Sequence, residues 1–305
     1  MAAASSSLPP SCLPSQAPPI LIAISGPTST GKTTLTHALT HILPLNPHSL
    51  TIIHADDFYH PNSAIPTRAD LDGLQDWDCA EAIDWERFWD VLVRVKGAGA
   101  DVEEVLGGVR AQGGILGGDD EEGGGDGVHA PSSSGGGRGG GQTRGGVRVD
   151  VLEGLREEVG RTWPEELLRR RRIVVVEGIL LFGATTPARF RDIFDIRILL
   201  RTTRAKARER REGRNGYVTL EGFWQDPPGY FDRVVWPGYV KGFGGFFEKG
   251  DVEGVVREGV EGEGVVVQPL KGEREGTVEE GLEWLVSVLR EEIKRVVEGE
   301  REGSG

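Results

Sequence analysis

Eight consecutive residues, Gly26-Pro27-Thr28-Ser29-Thr30-Gly31-Lys32-Thr33, follow the spacing G-x-x-x-x-G-K-[ST], and Thr34 extends the run. The two glycines let the backbone wrap tightly, so that its N–H groups can point inward at an anion. Lys32 places a compact charge on the outer phosphates, and the Thr33 hydroxyl can ligate Mg²⁺. Two further places carry groups suited to phosphate chemistry. Asp56 and Asp57 follow the apolar run Thr51–His54, and Glu177 follows Ile173–Val176. A carboxylate at such a strand end can deprotonate an acceptor hydroxyl or hold a cation. The basic segment Ala205–Gly216, with Arg210, Arg211 and Arg214, can clamp phosphates through bidentate bonds.

These groups need elements to position them. Ile20-Leu-Ile-Ala-Ile24 reads as a buried strand leading into the glycine loop. After the loop, Leu35, Ala38, Leu39, Ile42 and Leu43 share one helix face. Strand, loop and helix in that order aim a helix N-terminus at the phosphate. Further strands are expected at Thr51–His54, Ile173–Val176, Asp195–Leu200 and Gly264–Gln268. Asp84 can cap a helix carrying Trp85, Phe88, Trp89 and Leu92. Thr162-Trp-Pro-Glu165 and Thr277-Val-Glu-Glu280 both fit a capping box. The second opens a helix with Leu282, Leu285, Val286, Leu289, Ile293 and Val297 on one face. Strands alternating with helices imply an α/β fold: a five-stranded parallel sheet flanked by helices, of the P-loop NTPase type. In such sheets the ligand crevice lies at the carboxyl ends of the strands, where Asp56 and Glu177 fall.

The chain has 305 residues, 37% of them hydrophobic, with 46 glycines and a net charge of −13. That balance excludes a bulk basic surface for nucleic acid, and no apolar run reaches membrane-spanning length. The stretch 97–148 is glycine-rich with an acidic centre and reads as a flexible, disordered insertion; residues 1–19 read as a disordered leader. A single domain built from 20–96 and 149–299 is expected, with a mobile lid at 205–226. Met1–Pro19 has no basic residue, and the only cysteines are Cys12 and Cys79. A cytosolic or nuclear setting without structural disulfides is therefore the expectation.

A phosphate loop leaves the reaction open among a GTPase switch, an ATPase motor and a small-molecule kinase. The chain lacks the Asn-Lys-x-Asp element that reads guanine, and Glu177 stands alone where motors usually carry Asp or Asp-Glu. A kinase uses Asp56 as base and Glu177 to hold Mg²⁺ or its waters.

Five stretches carry a resemblance: Ile24–Thr34, Asp56-Asp-Phe-Tyr-His-Pro61, Leu74-Gln-Asp-Trp-Asp78, Val176-Glu-Gly-Ile-Leu-Leu-Phe182, and Pro228-Gly-Tyr-Phe-Asp232 with Val235-Trp-Pro237. In these the chain resembles the nicotinamide riboside kinases, a family akin to uridine kinases. The resemblance implies ATP- and Mg²⁺-dependent phosphorylation of the ribose 5′-hydroxyl of nicotinamide riboside, and of nicotinic acid riboside, in a salvage route to NAD. A kinase for uridine, cytidine or another small hydroxyl compound is the alternative. The implied partner is a small nucleoside, with no nucleic acid, membrane or obligate protein partner. By matching position Asp56 is base and Mg²⁺ contact, Thr33 the other Mg²⁺ ligand, and Lys32 and Glu177 complete the catalytic set. Asp57, Phe58 and Tyr59 fall on the substrate side, and Trp77 stacks on the pyridine ring. Asp78 binds ribose hydroxyls, Arg211 is a substrate-side arginine, Asp226 lies near the substrate, and Arg210 and Arg214 face ATP beside Gly26–Thr34. This chain departs from the family pattern at His60, often Lys, in the extra residue Asp76, and in a longer segment after Arg214.

Overall fold

The computed structural model describes residues 18–43, 50–97, 104–107, 142–163, 171–214, 216–219, 222–270 and 276–303. Its centre is β1, Ile20–Ser25, whose six residues are all buried. An uninterrupted apolar run of this kind suits a strand covered on both faces. The flanking strands are β2 (Leu50–His54), β3 (Ile173–Gly178), β4 (Ile196–Leu199) and β5 (Val265–Val267). All five are parallel, in the order β5-β4-β1-β3-β2. The α/β P-loop architecture and the five strands expected from the sequence are those observed.

Side chains on β1 alternate between two cores. Ile20, Ile22 and Ile24 pack with Leu39, Ile42, Leu155 and Leu285. These belong to α1 (Lys32–Ile42), α3 (Val149–Thr162) and α6 (Val278–Gly303). Leu21 and Ala23 pack on the opposite face with Phe88, Leu92, Trp236 and Phe243. Those come from α2 (Trp85–Lys96) and α5 (Trp236–Phe243). Each large aliphatic side chain fully buried this way contributes about 1.5–3 kcal/mol.

The helix ends follow the side chains that cap them. Asp84 accepts from the Arg87 N–H at 3.0 Å and opens α2. Thr277 and Glu280 exchange reciprocal bonds of 3.2 and 3.3 Å ahead of α6. Thr162 instead ends α3, its hydroxyl donating to the Glu158 carbonyl at 2.8 Å. The rest of its expected capping box, Pro164 and Glu165, lies outside the described residues. The basic helix α4, Arg204–Glu212, is capped by Thr203 and leads to an antiparallel hairpin, Tyr217–Thr219 with Gly222–Trp224.

Within the stretch 97–148, two short pieces are described. Val105 and Leu106 are buried in the core that contains Phe88. Residues 143–148 form a small hairpin whose Val147 is fully buried against the core containing Leu155. Leader residues 1–17 and insertion residues 98–103 and 108–141 lie outside the described residues.

Candidate active site

The phosphate loop leaves β1 at Gly26, whose φ is +155°. A Cβ at Gly26 would sit 2.6 Å from the Leu200 carbonyl oxygen, so the loop can pass β4 only without a side chain there. Ser29 and Gly31 take left-handed φ values of 61° and 89°. The Thr30 hydroxyl donates to the Pro27 carbonyl at 2.7 Å and tightens the turn. Lys32 Nζ donates to the carbonyls of Gly26 and Pro27 at 3.2 and 3.0 Å. Its ammonium pKa is lowered, first by burial, against the opposing pull of Glu177 and Asp56. Gly31 begins α1 without a side-chain cap and no acidic residue occupies the first turn, so that helix end suits an anion.

Facing the loop are two carboxylates from neighbouring strand ends. Glu177 Oε1 accepts from the Thr33 hydroxyl at 2.9 Å and pairs with His54 Nδ1 at 2.7 Å. Burial is the largest influence on Glu177 and works against its charge, but the His54 bond, Lys32 and Thr33 outweigh it and lower its pKa. The strand ends at His54, and Ala55–Phe58 turns into a short 3-10 helix. That turn sets Asp56 on the cleft floor. There its carboxyl is pushed up to about 6, by loss of hydration first and then by the Glu177 charge. Asp56 is nonetheless solvent-exposed along the cleft, and that exposure screens part of the effect.

The opposite wall is aromatic. Trp77 is buried between Tyr59, with ring centroids 5.7 Å apart, and Trp224 at 5.8 Å. Next to it Asp78 and Arg211 form a bidentate pair of 2.7 and 2.9 Å, and both side chains are at most 7% exposed. Arg211 also holds Asp226 at 2.6 Å, and Asp226 accepts from Trp224 Nε1 at 2.9 Å. The extra residue Asp76 has a structural role: its Oδ1 accepts from the Asp78 N–H at 3.1 Å and fixes the turn that presents Trp77 and Asp78.

One cleft of about 210 Å³ unites most of the residues singled out in the sequence. Thr28, Ser29, Gly31, Lys32, Thr33 and Thr34 line its loop side, with Asp56 and Glu177 at the floor. Tyr59, Trp77, Asp78, Arg211 and Arg214 close the far side. A second cavity of about 380 Å³ lies across the loop, lined by Thr30, Arg201, Arg210, Gln268 and Trp284 among others. Arg210 bonds the Ser29 carbonyl there at 3.2 Å.

Asp226 lines neither cavity and meets the first through Arg211 and Trp224, and two further candidates fall elsewhere. Phe58 is fully buried and stacks on Phe88 at 4.4 Å, on the core side of the turn that exposes Asp56. Asp57 lines neither cleft; its carbonyl accepts from Arg87 at 3.5 Å. Sequence reasoning missed Trp224, His54 and Gln268. For Trp224 the available signal was an indole two residues before Asp226. For His54 it was a polar residue closing a strand two positions before Asp56.

The cleft can hold a chain of phosphates on the loop, a flat ring on the indoles and a hydroxyl between them, within reach of Asp56. Among known proteins, no family model matches the chain. Three curated fungal proteins named nicotinamide riboside kinase match most of it. The one from Schizosaccharomyces pombe is 30% identical over 235 residues, 77% of this chain and 84% of that protein. The Saccharomyces cerevisiae protein is 28% identical over 237 residues, 78% of this chain and 82% of its own. The Eremothecium gossypii protein is 28% identical over 241 residues, 77% and 80% respectively.

Proposed function

The chain belongs to the nicotinamide riboside kinase family, and from that premise we propose how its own residues transfer a phosphoryl group from ATP to the ribose 5′-hydroxyl of nicotinamide riboside. The observation that carries the reading is the placement of Asp56 in one cleft with Lys32 and Thr33. The phosphates of ATP lie on the Gly26–Thr34 loop and the α1 N-terminus, with the adenine side toward the second cavity by Gln268 and Trp284. The pyridinium ring lies against Trp77, where a cation on an indole face gains about 0.5–2 kcal/mol. Trp224 and Tyr59 complete that wall. Asp78 and Arg211 take the ribose hydroxyls, and Arg210 and Arg214 serve the phosphates.

In the transfer, the 5′-oxygen forms a bond to the γ-phosphorus as the bond to the β–γ bridging oxygen breaks. Asp56 accepts the hydroxyl proton. Lys32 meets the charge on the departing phosphates once it exchanges its loop carbonyls for them. Asp56 and Glu177 face the phosphate loop from neighbouring strand ends, and the Glu177 charge adds to burial in raising the Asp56 carboxyl, an arrangement that suits a divalent cation. Among the described residues no cluster of three or more His, Cys, Asp or Glu forms a protein-only metal cage. Mg²⁺ is commonly held by one or two protein oxygens together with substrate phosphates. Thr33 and Asp56 would hold it, with Glu177 behind them. Bound there, Mg²⁺ supplies neutralising charge to the phosphates. Nicotinic acid riboside fits the same wall and is a second substrate, which gives the enzyme a place in pyridine nucleotide salvage.

The test is a substrate panel with ATP and Mg²⁺, run on the wild type and on Asp56→Ala. Nicotinamide riboside is expected to turn over faster than uridine or cytidine. Asp56→Ala is expected to lose about 10²–10⁴ in kcat while ATP binding stays within a few-fold. Faster turnover of uridine would overturn the substrate assignment, and unchanged kcat would overturn the role of Asp56.

A further inference from the structure

His54 closes β2 and lies in register with Glu177 on β3, so the two side chains emerge side by side from adjacent parallel strands. His54 Nδ1 and the Thr33 hydroxyl converge on the same carboxylate oxygen, Glu177 Oε1, at 2.7 and 2.9 Å. Helix α1 embraces this pair with two residues one turn apart. Thr33 bonds Glu177, and the His37 ring stacks on the His54 ring at 5.9 Å with 26° between planes. Both Glu177 and the imidazole are largely buried, 7% and 17% exposed, so water competes little for either.

A hydroxyl has one proton and two lone pairs. When the Thr33 proton is committed to Glu177, its lone pairs turn away from Glu177 toward the cleft that Thr33 lines. The oxygen is then pre-aimed at a cation. That aim is only as firm as the carboxylate providing the acceptor. Lys32 spends its bonds on loop carbonyls, so the second donor fixing Oε1 is His54.

We propose that His54 is a positioning residue that holds Glu177 so that Glu177 orients the Thr33 hydroxyl as a metal ligand. The inference rests on the reading of Thr33 as a Mg²⁺ ligand. Its path runs from His54 through Glu177 to Thr33 and ends there. Removing the imidazole leaves Oε1 with one donor, the carboxylate rotates, and Thr33 loses its fixed acceptor. Outer partners of metal ligands typically contribute about 10–100-fold in metal affinity.

The experiment measures Mn²⁺ affinity by electron paramagnetic resonance, using full-length protein with a non-hydrolysable ATP analogue. His54→Ala is expected to weaken Mn²⁺ binding about tenfold or more, with metal-free analogue binding within twofold. His54→Asn places an amide N–H near the position of Nδ1 and is expected to restore most of the loss. In a Thr33→Ala background, His54→Ala is expected to add nothing, because the path is already cut. Wild-type Mn²⁺ affinity in His54→Ala, no recovery in a folded His54→Asn, or additive losses in the double variant would each overturn the proposal. Unchanged Mn²⁺ affinity in Thr33→Ala would instead overturn the metal-ligand reading beneath it. If His54→Ala does not fold, the comparison of His54→Asn with His54→Leu decides: equal Mn²⁺ affinities reject the role, and weaker binding by Leu alone supports it.

Discussion

The Tyr230 hydroxyl ties together two separate stretches of the chain: it accepts from the Trp77 backbone N–H at 2.9 Å and donates to the Gln75 carbonyl at 3.1 Å. Tyr230 is 1% exposed and its bond with the Trp77 N–H is buried, so that N–H has no water as a substitute. Leaving a buried donor without its partner costs about 1–3 kcal/mol. Tyr230→Phe is therefore expected to lose stability in that range. It should raise KM for the nucleoside more than it lowers kcat, because the turn carrying Trp77 and Asp78 loosens while Asp56 and the phosphate loop stay put. Denaturant melts and steady-state kinetics check both parts. A KM unchanged alongside the expected loss of stability would mean that the turn is held by other contacts.

Arg211 serves two carboxylates in unequal surroundings. Its bond to Asp78 joins side chains 6% and 7% exposed, whereas Asp226 is 20% exposed. Breaking a buried pair by removing one partner costs about 3–5 kcal/mol, and water weakens the more exposed arm. In unfolding measured without substrate, Asp78→Asn should cost more than Asp226→Asn, and Arg211→Lys should resemble a deletion. Lysine offers a point charge where two carboxylates need a planar fork. Equal losses for the two Asp variants would show that burial does not rank these arms.

The parts legible in the sequence were those whose geometry is local. Gly26–Thr34 carries its conformation in its own glycines, and Glu177 is fixed by the end of an unmistakable strand. Phe58 lies on the core side because strand alternation ends at His54. The 3-10 turn from Ala55 rotates Asp56 to the cleft and Phe58 to the core, and sequence periodicity does not mark where one gives way to the other. Trp224 carried one local hint, an indole two residues before Asp226, but its partner was not legible, for another reason. It reaches Trp77 only because a hairpin beyond α4 folds back across some 150 residues of chain, a long-range pairing with no local signature. The extra residue Asp76 looked like an interruption and proves to be the turn's own hydrogen-bond acceptor.

The raised Asp56 carboxyl sets an expectation for pH. Its ordinary value is 3.8 and in the cleft it is about 6. As the proposed base, Asp56 works only when deprotonated, so active enzyme is expected to be lost as pH falls through the higher value. kcat/KM, which reports the free enzyme, should fall about tenfold per unit below pH 6 when Mg²⁺ is limiting. Saturating Mg²⁺ should move that limb to lower pH, because a cation favours the carboxylate. The limb belongs to Asp56 and Glu177 together, since the two charges interact. A profile flat down to about pH 5 at limiting Mg²⁺ would remove Asp56 as the titrating base.

Two deletions within 97–148 should behave differently. Replacing 108–141 with a short Gly-Ser linker removes no residue that the described core uses. Loop-closure cost changes by only about 0.6 kcal/mol per doubling of length, so activity should stay within a few-fold. Deleting 100–147 also removes Val105, Leu106 and Val147, which are 6%, 6% and 0% exposed and packed in two different cores. At about 1.5–3 kcal/mol for each buried side chain, the loss is comparable to the whole stability of many domains, about 5–15 kcal/mol. The longer deletion should therefore lower the melting temperature sharply or prevent folding. Thermal melts of the two variants side by side check this. Equal melting temperatures would mean that those three side chains contribute nothing to the folded state.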